Sequence, residues 1–348
     1  SANYAPFDYK VVEIQKPNVI RDNFHSLEPT RPNEVLIKIA YAGICETDFE
    51  VLKGALNYYK SGWATYPIVP GHEFSGIIVR VGSKIQHFKI GDRVVGQCIL
   101  SCGKCQSCLS GREIACTERK EVGVLNYHGA YAEYISLPSQ FVHKIPDGMS
   151  LVTASSIEPL AVVLKGLRRI GLERAELMDK ETVLIIGGGP IGHLAARVSA
   201  FWGHRVTLFG RNQQRLELIS DLKDVSQTDQ WLEVTSFSTI IECTGKAELV
   251  NRVINESSTG STILLLGLPY SVQPLDLEKI VTFDKRIVGS VGSGGEDFRS
   301  ALKVAKSINM NRFNELIFDF DAWKQALENH TKKRSLKVKL KMAREYQD

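Results

Sequence analysis

No apolar run in the chain approaches the roughly 18 to 20 residues that a bilayer span requires, and the opening SANYAPFDYK lacks a basic segment followed by an apolar one. Neither membrane insertion nor secretion is therefore expected, and a cytoplasmic location follows. No sign of charge dominates: 43 basic residues stand against 39 acidic ones, for a net charge of +4 spread along the whole length, so a nucleic acid finds no basic face. The one basic cluster, KKRSLKVKLK at 332–341, alternates with Leu336, Val338 and Leu340. That pattern reads as a half-buried strand with a charged outer face rather than a phosphate-binding stripe. Internal repeats and low-complexity segments are also missing. What remains is a globular composition, 43% hydrophobic over 348 residues, which is more than one core usually supports, so two domains are expected.

Cysteine is not abundant, at seven, but four of the seven fall within fifteen residues, CGKCQSCLSGREIAC at 102–116. An odd count in a large chain without a secretion signal argues against a disulfide framework and for metal. Cys102, Cys105, Cys108 and Cys116 are spaced C-x2-C-x2-C-x7-C, and a loop of this length can set four sulfurs about 2.3 Å from one zinc ion. An iron-sulfur cluster is the alternative, but the ferredoxin run closes after three residues with a proline following, whereas here the gap is seven and Thr117 follows. A four-thiolate site has no open position, so this metal would hold a lobe, at about 97–117, and catalysis must lie elsewhere.

Two other stretches carry reactive side chains. GICETDFE at 43–50 places Cys45 in a polar segment after an apolar run, and PGHEFSG at 70–76 places His72 and Glu73 in a turn. Either alone could be packing or chance; together a thiolate, an imidazole and a carboxylate can make a three-ligand zinc site with a fourth position free. Further on, ETVLIIGGGPIGHLAARVSAFWG at 181–203 reads as strand, glycine turn and helix. Gly187, Gly189 and Gly192, with Pro190 and Ile191 inside the motif, have the G-x-G-x-x-G spacing that lets a backbone approach a pyrophosphate at a helix N-terminus. The next strand, VTLF, ends where an NAD enzyme carries an acid for the ribose hydroxyl. Here that position is Gly210, followed by Arg211 and Asn212, with Arg215 close by, a set that suits a 2′-phosphate and favours NADP(H) over NAD(H). The alternative leaves Arg211 in a solvated loop and Arg215 on an exposed helix face. Cys243 reads as strand packing.

The order GICETD, GHEFSG, clustered cysteines, EPLAV and GGGPIG resembles the zinc-dependent medium-chain dehydrogenase/reductase family, over nearly the whole chain. SSIEPLAV, with Glu158 where other alcohol dehydrogenases carry a cysteine, points to its sorbitol, threonine and glucose dehydrogenase branch. The resemblance implies an α/β protein with a GroES-like β-rich catalytic domain and a Rossmann doubly wound parallel sheet. It implies two zinc ions per chain: a structural one on the four clustered cysteines, and a catalytic one on Cys45, His72 and Glu73, with Glu158 as a further ligand, direct or through water. For Glu158 the alternative is a first-turn carboxylate favoured by the helix dipole. Thr47 matches the hydroxyl that opens the family's proton relay, and Asp48 the carboxylate that orients the zinc-bound histidine. Glu50 stands where many relatives have a relay histidine.

The expected organisation runs 1–156 and 298–348 for the catalytic domain and 157–297 for the dinucleotide domain. The helix-like GEDFRSALKVAKSI and a final strand bring the chain back to the first domain. The segment after Leu218 is short for the family, so one crossover is expected to be trimmed. KRIVGSVGS at 285–293 could pair edge to edge in a homodimer or homotetramer. Tyr58, Tyr59, Lys60 and Trp63 could line the cleft against a small polar alcohol or carbonyl substrate, a polyol or sugar. A zinc-independent quinone or enone reductase and a non-catalytic nucleotide binder are the alternatives.

Overall fold

The run EVLIKIAYAG forms the long strand Glu34–Gly43, in which only Glu34 and Lys38 are less than buried. It needs apolar residues on both faces because it sits between two cores. Val35, Ile37 and Ile39 face the core shared with Val11 and Phe74. An irregularity in pairing between Ile39 and Tyr41 then swaps the faces. Beyond it Ala42 and Ile44 take over that side, while Tyr41 turns to a second core built around the helix Ile157–Arg169. The structure is a computed structural model that describes residues 7–173, 181–269, 271–272 and 274–342. The first six and last six residues, which the sequence reading assigned to the catalytic domain, lie outside the described residues, as do 174–180 of the dinucleotide domain.

Two large sheets organise the chain. The first is seven-stranded and mostly antiparallel, in the order Val142–Lys144, Arg93–Gly96, Glu73–Val81, Glu34–Gly43, Val338–Lys341, Leu316–Asp319, with Tyr134–Pro138 also paired to Glu34–Gly43. The second is six-stranded and wholly parallel, in the order Val225–Thr228, Arg205–Phe209, Thr182–Ile186, Thr239–Glu242, Thr262–Leu265, Arg286–Gly289. Its direction of winding reverses at Thr182–Ile186, the switch point at which such sheets bind ligands beyond their carboxyl ends. The helix Ile157–Arg169 is buried on most of its surface and packs against the parallel-sheet helix Pro190–Phe201, the returning helix Gly295–Val304 and the strand Glu73–Val81. It therefore ties the two sheets together.

Several expectations met their elements. GEDFRSALKV is a helix with Gly294 and Asp297 closing its first turn. The trimmed crossover is present: a five-residue helix, Gln213–Glu217, precedes the strand Val225–Thr228, and a single 3-10 turn, Val234–Ser236, leads into Thr239–Glu242. Arg286–Gly289 is the edge strand of the parallel sheet.

The basic run at 332–341 departs from the sequence reading. Its strand is only Val338–Lys341, lies inside the sheet, and does not turn its lysines to solvent as a charged face: Lys339 and the preceding Lys337 are 0% and 3% exposed, and only Lys341 is half-buried. Buried lysine side chains demand partners, and burial pushes Lys339 well below its ordinary range. Lys339 donates to Val152 O at 2.5 Å and to Asn314 Oδ1 at 2.8 Å, and Lys337 finds a carboxylate. Alternation alone could not separate a solvated lysine from one whose partner comes from a distant segment.

Candidate active site

Cys45 sits at the junction between the strand Glu34–Gly43 and the helix Glu46–Lys53, for which it is the N-cap. Asp48, in the first turn, accepts a hydrogen bond from Cys45 N at 2.9 Å and so closes the turn that presents the thiol. The same carboxylate accepts from Tyr131 Oη at 2.7 Å and lies 3.5 Å from His72 Nδ1. His72 precedes the strand Glu73–Val81, whose first residue pairs in register with Gly43. A Cβ on Gly43 would stand 2.6 Å from Glu73 Oε2, so the glycine clears room for the carboxylate. Sequence segments 43–50 and 70–76 thus meet because their strands are neighbours.

The donor atoms of Cys45, His72 and Glu73 lie within 4.8 Å of one another, with His72 and Glu73 buried. A thiolate, an imidazole and a carboxylate at that spacing are a set zinc accepts, and Asp48 is placed to hold the ring. Two buried atoms facing each other, His72 Nδ1 and Asp48 Oδ1, have no hydrogen-bond partner, which fits a ring that tightens onto Asp48 as a cation enters. Burial disfavours a charged His72, but Asp48 and Cys45 outweigh it and raise the imidazole well above its usual range. Burial also opposes the charge on Asp48, yet His72, Cys45 N–H and Tyr131 hold it below the usual carboxylate range.

Glu158 enters from the first turn of Ile157–Arg169, 8% exposed. Burial, with Glu73 adding to it against His72 and Lys337, pushes its carboxyl up to about 7. Glu73 is engaged by Lys337, whose Nζ lies 2.7 Å from Oε2 and 3.0 Å from Oε1 and also donates to Ile44 O at 3.1 Å. Sequence reasoning missed Lys337 and Tyr131; neither sits in a motif, and only the sheet brings Lys337 to Glu73. Thr47 is half-buried on the helix Glu46–Lys53, and Glu50 is buried with its carboxylate 3.2 Å from Lys53 Nζ. Among the described residues no hydrogen bond joins Thr47 to Glu50.

The cysteine lobe gathers as its spacing requires. Cys102, Cys105, Cys108 and Cys116 bring their sulfurs within 4.8 Å of one another, with 3.9 Å between Cys102 and Cys108 and 3.4 Å between Cys105 and Cys108. Tetrahedral zinc with bonds of about 2.3 Å sets sulfurs about 3.8 Å apart. Backbone N–H groups of Lys104 and Cys105 bring the Cys102 thiol down to about 7. No cysteine is in a disulfide, and burial pushes the Cys98 and Cys243 thiols, which belong to neither cluster, up from their usual range.

The glycine turn follows the strand Thr182–Ile186. Gly187 has φ 122°, and a Cβ on Gly192 would stand 1.7 Å from Gly187 O, so no side chain fits there. Gly189 caps the helix Pro190–Phe201, with Pro190 at its start and Ile191 behind it. Gly210 follows Arg205–Phe209, and a Cβ there would meet Gly188 N at 3.0 Å. Arg211 is exposed. Asn212 caps the helix Gln213–Glu217 by accepting from Arg215 N at 3.1 Å. Arg215 is not on an exposed face: it is 9% exposed, donates from Nε to Ser335 O at 3.0 Å, and reaches toward Gly189.

Of the residues considered for the cleft, Tyr59 is structural, donating to Val124 O at 2.7 Å and stacking on Tyr66, and Lys60 is exposed. Tyr58 belongs to a polar cluster that the sequence did not reveal. Its Oη donates to Glu121 Oε1 at 2.8 Å and accepts from Arg119 Nη2 at 2.8 Å, while the guanidinium lies 4.9 Å over the Trp63 ring. Gly123, two residues beyond Glu121, packs on the backbone of Gly71 beside His72.

Comparison with known proteins agrees with this architecture. Residues 31–147 match the family model "Alcohol dehydrogenase GroES-like domain", and residues 153–342 match "Glucose dehydrogenase C-terminus". L-threonine 3-dehydrogenase of Pseudoalteromonas translucida is 32% identical over 288 residues, 79% of this chain and 81% of that protein. The enzyme of the same name from Streptomyces coelicolor is 34% identical over 284 residues, 76% and 79% of the two chains. Among solved structures, one from Sinorhizobium meliloti, described as a zinc-binding dehydrogenase bound to NADP, superposes with a TM-score of 0.86 at 25% identity, covering 97% of this chain and 100% of that one. Galactitol-1-phosphate dehydrogenase of Escherichia coli shares the fold, with a TM-score of 0.82 at 24% identity over 97% and 100% of the chains. Among the described residues no helix is long and apolar enough to cross a membrane. The chain belongs to the zinc-dependent medium-chain dehydrogenases of the alcohol dehydrogenase superfamily, enzymes that oxidise alcohols or reduce their carbonyl partners with a nicotinamide cofactor.

Proposed function

We propose that the protein transfers hydride between NADP(H), in preference to NAD(H), and a polar alcohol/carbonyl pair, a polyol, a sugar or a sugar derivative, using two zinc ions per chain. The observation that carries the cofactor preference is the end of the strand Arg205–Phe209. Position 210 is a glycine packed closely on the glycine turn, where a Cβ would stand 3.0 Å from Gly188 N; Arg211 comes next, and the first carboxylate downstream is Glu217, which is held by Gln213 at 3.4 Å. A ribose 2′-hydroxyl finds no acidic acceptor there, whereas a 2′-phosphate finds arginine. Substrate polarity is supported by the cluster of Glu121, Tyr58 and Arg119, which would take hydroxyls remote from the reacting carbon, with Trp63, 39% exposed, as a ring platform.

When bound, the zinc supplies a Lewis acid that makes a substrate hydroxyl easier to deprotonate, and the nicotinamide carries the hydride. The chain's own groups do the rest. Cys45, His72 and Glu73, with Glu158 facing them, would hold the metal; Asp48 and Tyr131 fix the imidazole, and Lys337 balances the charge of Glu73. Thr47 would relay the proton, accepting from the substrate hydroxyl while giving up its own, with the Glu50 carboxylate as the acceptor beyond it. The four cysteines of the lobe would hold the second ion without touching substrate. The catalytic domain is taken as 1–156 and 298–348 and the dinucleotide domain as 157–297. Pairing through the edge strand Arg286–Gly289 would give a homodimer or homotetramer.

Metal content per chain, measured on wild type and Cys45→Ser protein purified without added metal, tests this reading. Two zinc ions falling to one, with the fold intact, are expected. One ion in both proteins would remove the catalytic metal and leave the zinc-independent reductase or the non-catalytic nucleotide binder. Initial rates on polyols and sugars with NADP and NAD side by side then test the cofactor and the substrate class.

A further inference from the structure

The basic run is only partly used up by the sheet. Lys337 and Lys339 go inside, Lys332 pairs with Glu328 at 3.1 Å, and Lys333 and Arg334 stay exposed, with no carboxylate among the described residues at ion-pair distance. Lys333 acts on Glu46, whose carboxyl is held below its usual range by His330 and, more weakly, by Lys333. Two hydrogen bonds pin this turn to the other domain: Asn212 Nδ2 donates to Lys333 O at 2.8 Å, and Arg215 Nε donates to Ser335 O at 3.0 Å. The two carbonyls bracket Arg334. Lys333 itself has φ 51°, a left-handed conformation costly for a side-chain-bearing residue, and its carbonyl is held by Asn212. Asn212 is the chain neighbour of Arg211, and Arg215 Nη1 lies 3.7 Å from the point a Cβ on Gly189 would occupy. The turn that carries Lys333 and Arg334 therefore lies against the segment that carries Arg211 and Arg215, which follows the strand Arg205–Phe209.

We propose that Lys333 and Arg334 of the catalytic domain complete the 2′-phosphate site that Arg211 begins, so that the phosphate is gripped from both sides of the cleft. This rests on the NADP reading above. A phosphate near its second ionisation presents three acceptor oxygens, and separate cations can each give it a charge-assisted hydrogen bond. A site split across the cleft makes the 2′-phosphate a bridge between domains, which an acid on the ribose hydroxyl would not be.

The test is equilibrium binding of NADPH and NADH by their fluorescence, with adenosine 2′,5′-bisphosphate as competitor, to wild type, R211Q and the double variant K333Q/R334Q. The double variant should bind NADPH and the bisphosphate about tenfold more weakly, or worse, while NADH stays within about twofold. A double variant that keeps wild-type NADPH affinity while R211Q loses it would confine the site to one domain and overturn the inference, leaving the NADP reading intact. Equal weakening of NADH and NADPH would also overturn it, since the cations would then be acting on the shared part of the cofactor. A wild type that binds NADPH no tighter than NADH would sink the NADP reading and this inference with it.

Discussion

Replacing Lys337 by methionine removes one half of a fully buried ion pair and leaves the other half in place. At 2.7 Å and an effective dielectric of about 20, the attraction between the ammonium and the Glu73 carboxylate is about 6 kcal/mol before desolvation. That attraction is offset in large part by the cost of taking both charges out of water. The expected destabilisation is therefore about 3 to 4 kcal/mol, in the range found when one partner of a buried pair is deleted. The measurement is urea unfolding of chelator-treated protein, so that no cation stands in for the lysine. The double variant E73Q/K337M should recover most of the loss, because neither charge then remains buried. Zinc added back should stabilise K337M more than wild type. A K337M protein within about 0.5 kcal/mol of wild type, or a double variant no better than the single one, would refute the reading of Lys337 as the counter-ion of Glu73.

Other consequences are open to measurement. Gly192→Ala puts a Cβ against Gly187 O, so it should cost about 2 to 3 kcal/mol of stability and weaken NADPH binding in the same titration; tight binding would mean the glycine turn does not meet the pyrophosphate. Thr47→Val should lower kcat about 100-fold with folding unchanged if its hydroxyl opens the proton route, and full turnover would remove it. Burial pushes His193 down to about 3, and its Nε2 is hydrogen-bonded to Arg215 O at 2.8 Å. The native state thus keeps this ring neutral while the unfolded chain takes up a proton below about pH 6.5, so stability is whole above that pH and falls as pH drops toward 3. Between pH 7.5 and 5 this one group should account for about 2 kcal/mol, read as the difference in acid sensitivity between wild type and His193→Gln. Equal sensitivity of the two would assign the acid loss elsewhere.

What could be read from the chain alone was whatever is local or carried by spacing. Four cysteines within fifteen residues, the glycines after TVLII, and an apolar stretch bounded by GICETD each report on a few neighbouring residues, and the loop or turn they dictate is short enough for sequence to specify. The order of these motifs carried the resemblance to the zinc-dependent dehydrogenases, and the resemblance implied the two-sheet architecture. Lys337 and Lys339 were beyond that reach, since whether a lysine on an alternating strand faces water depends on what packs over it. Glu73 lies 264 residues before Lys337 and Asn314 lies 25 before Lys339, and neither leaves a periodic signal. Arg215 was expected near a 2′-phosphate, with a solvent-facing helix position as the alternative; the turn at Lys333–Ser335 covers it, Ser335 O accepting from its Nε. Local chemistry was thus written in the sequence, while the fate of each long charged side chain was decided by which distant carbonyl or carboxylate the tertiary structure brought within 3 Å, because burying a charge is tolerable only where such a partner arrives.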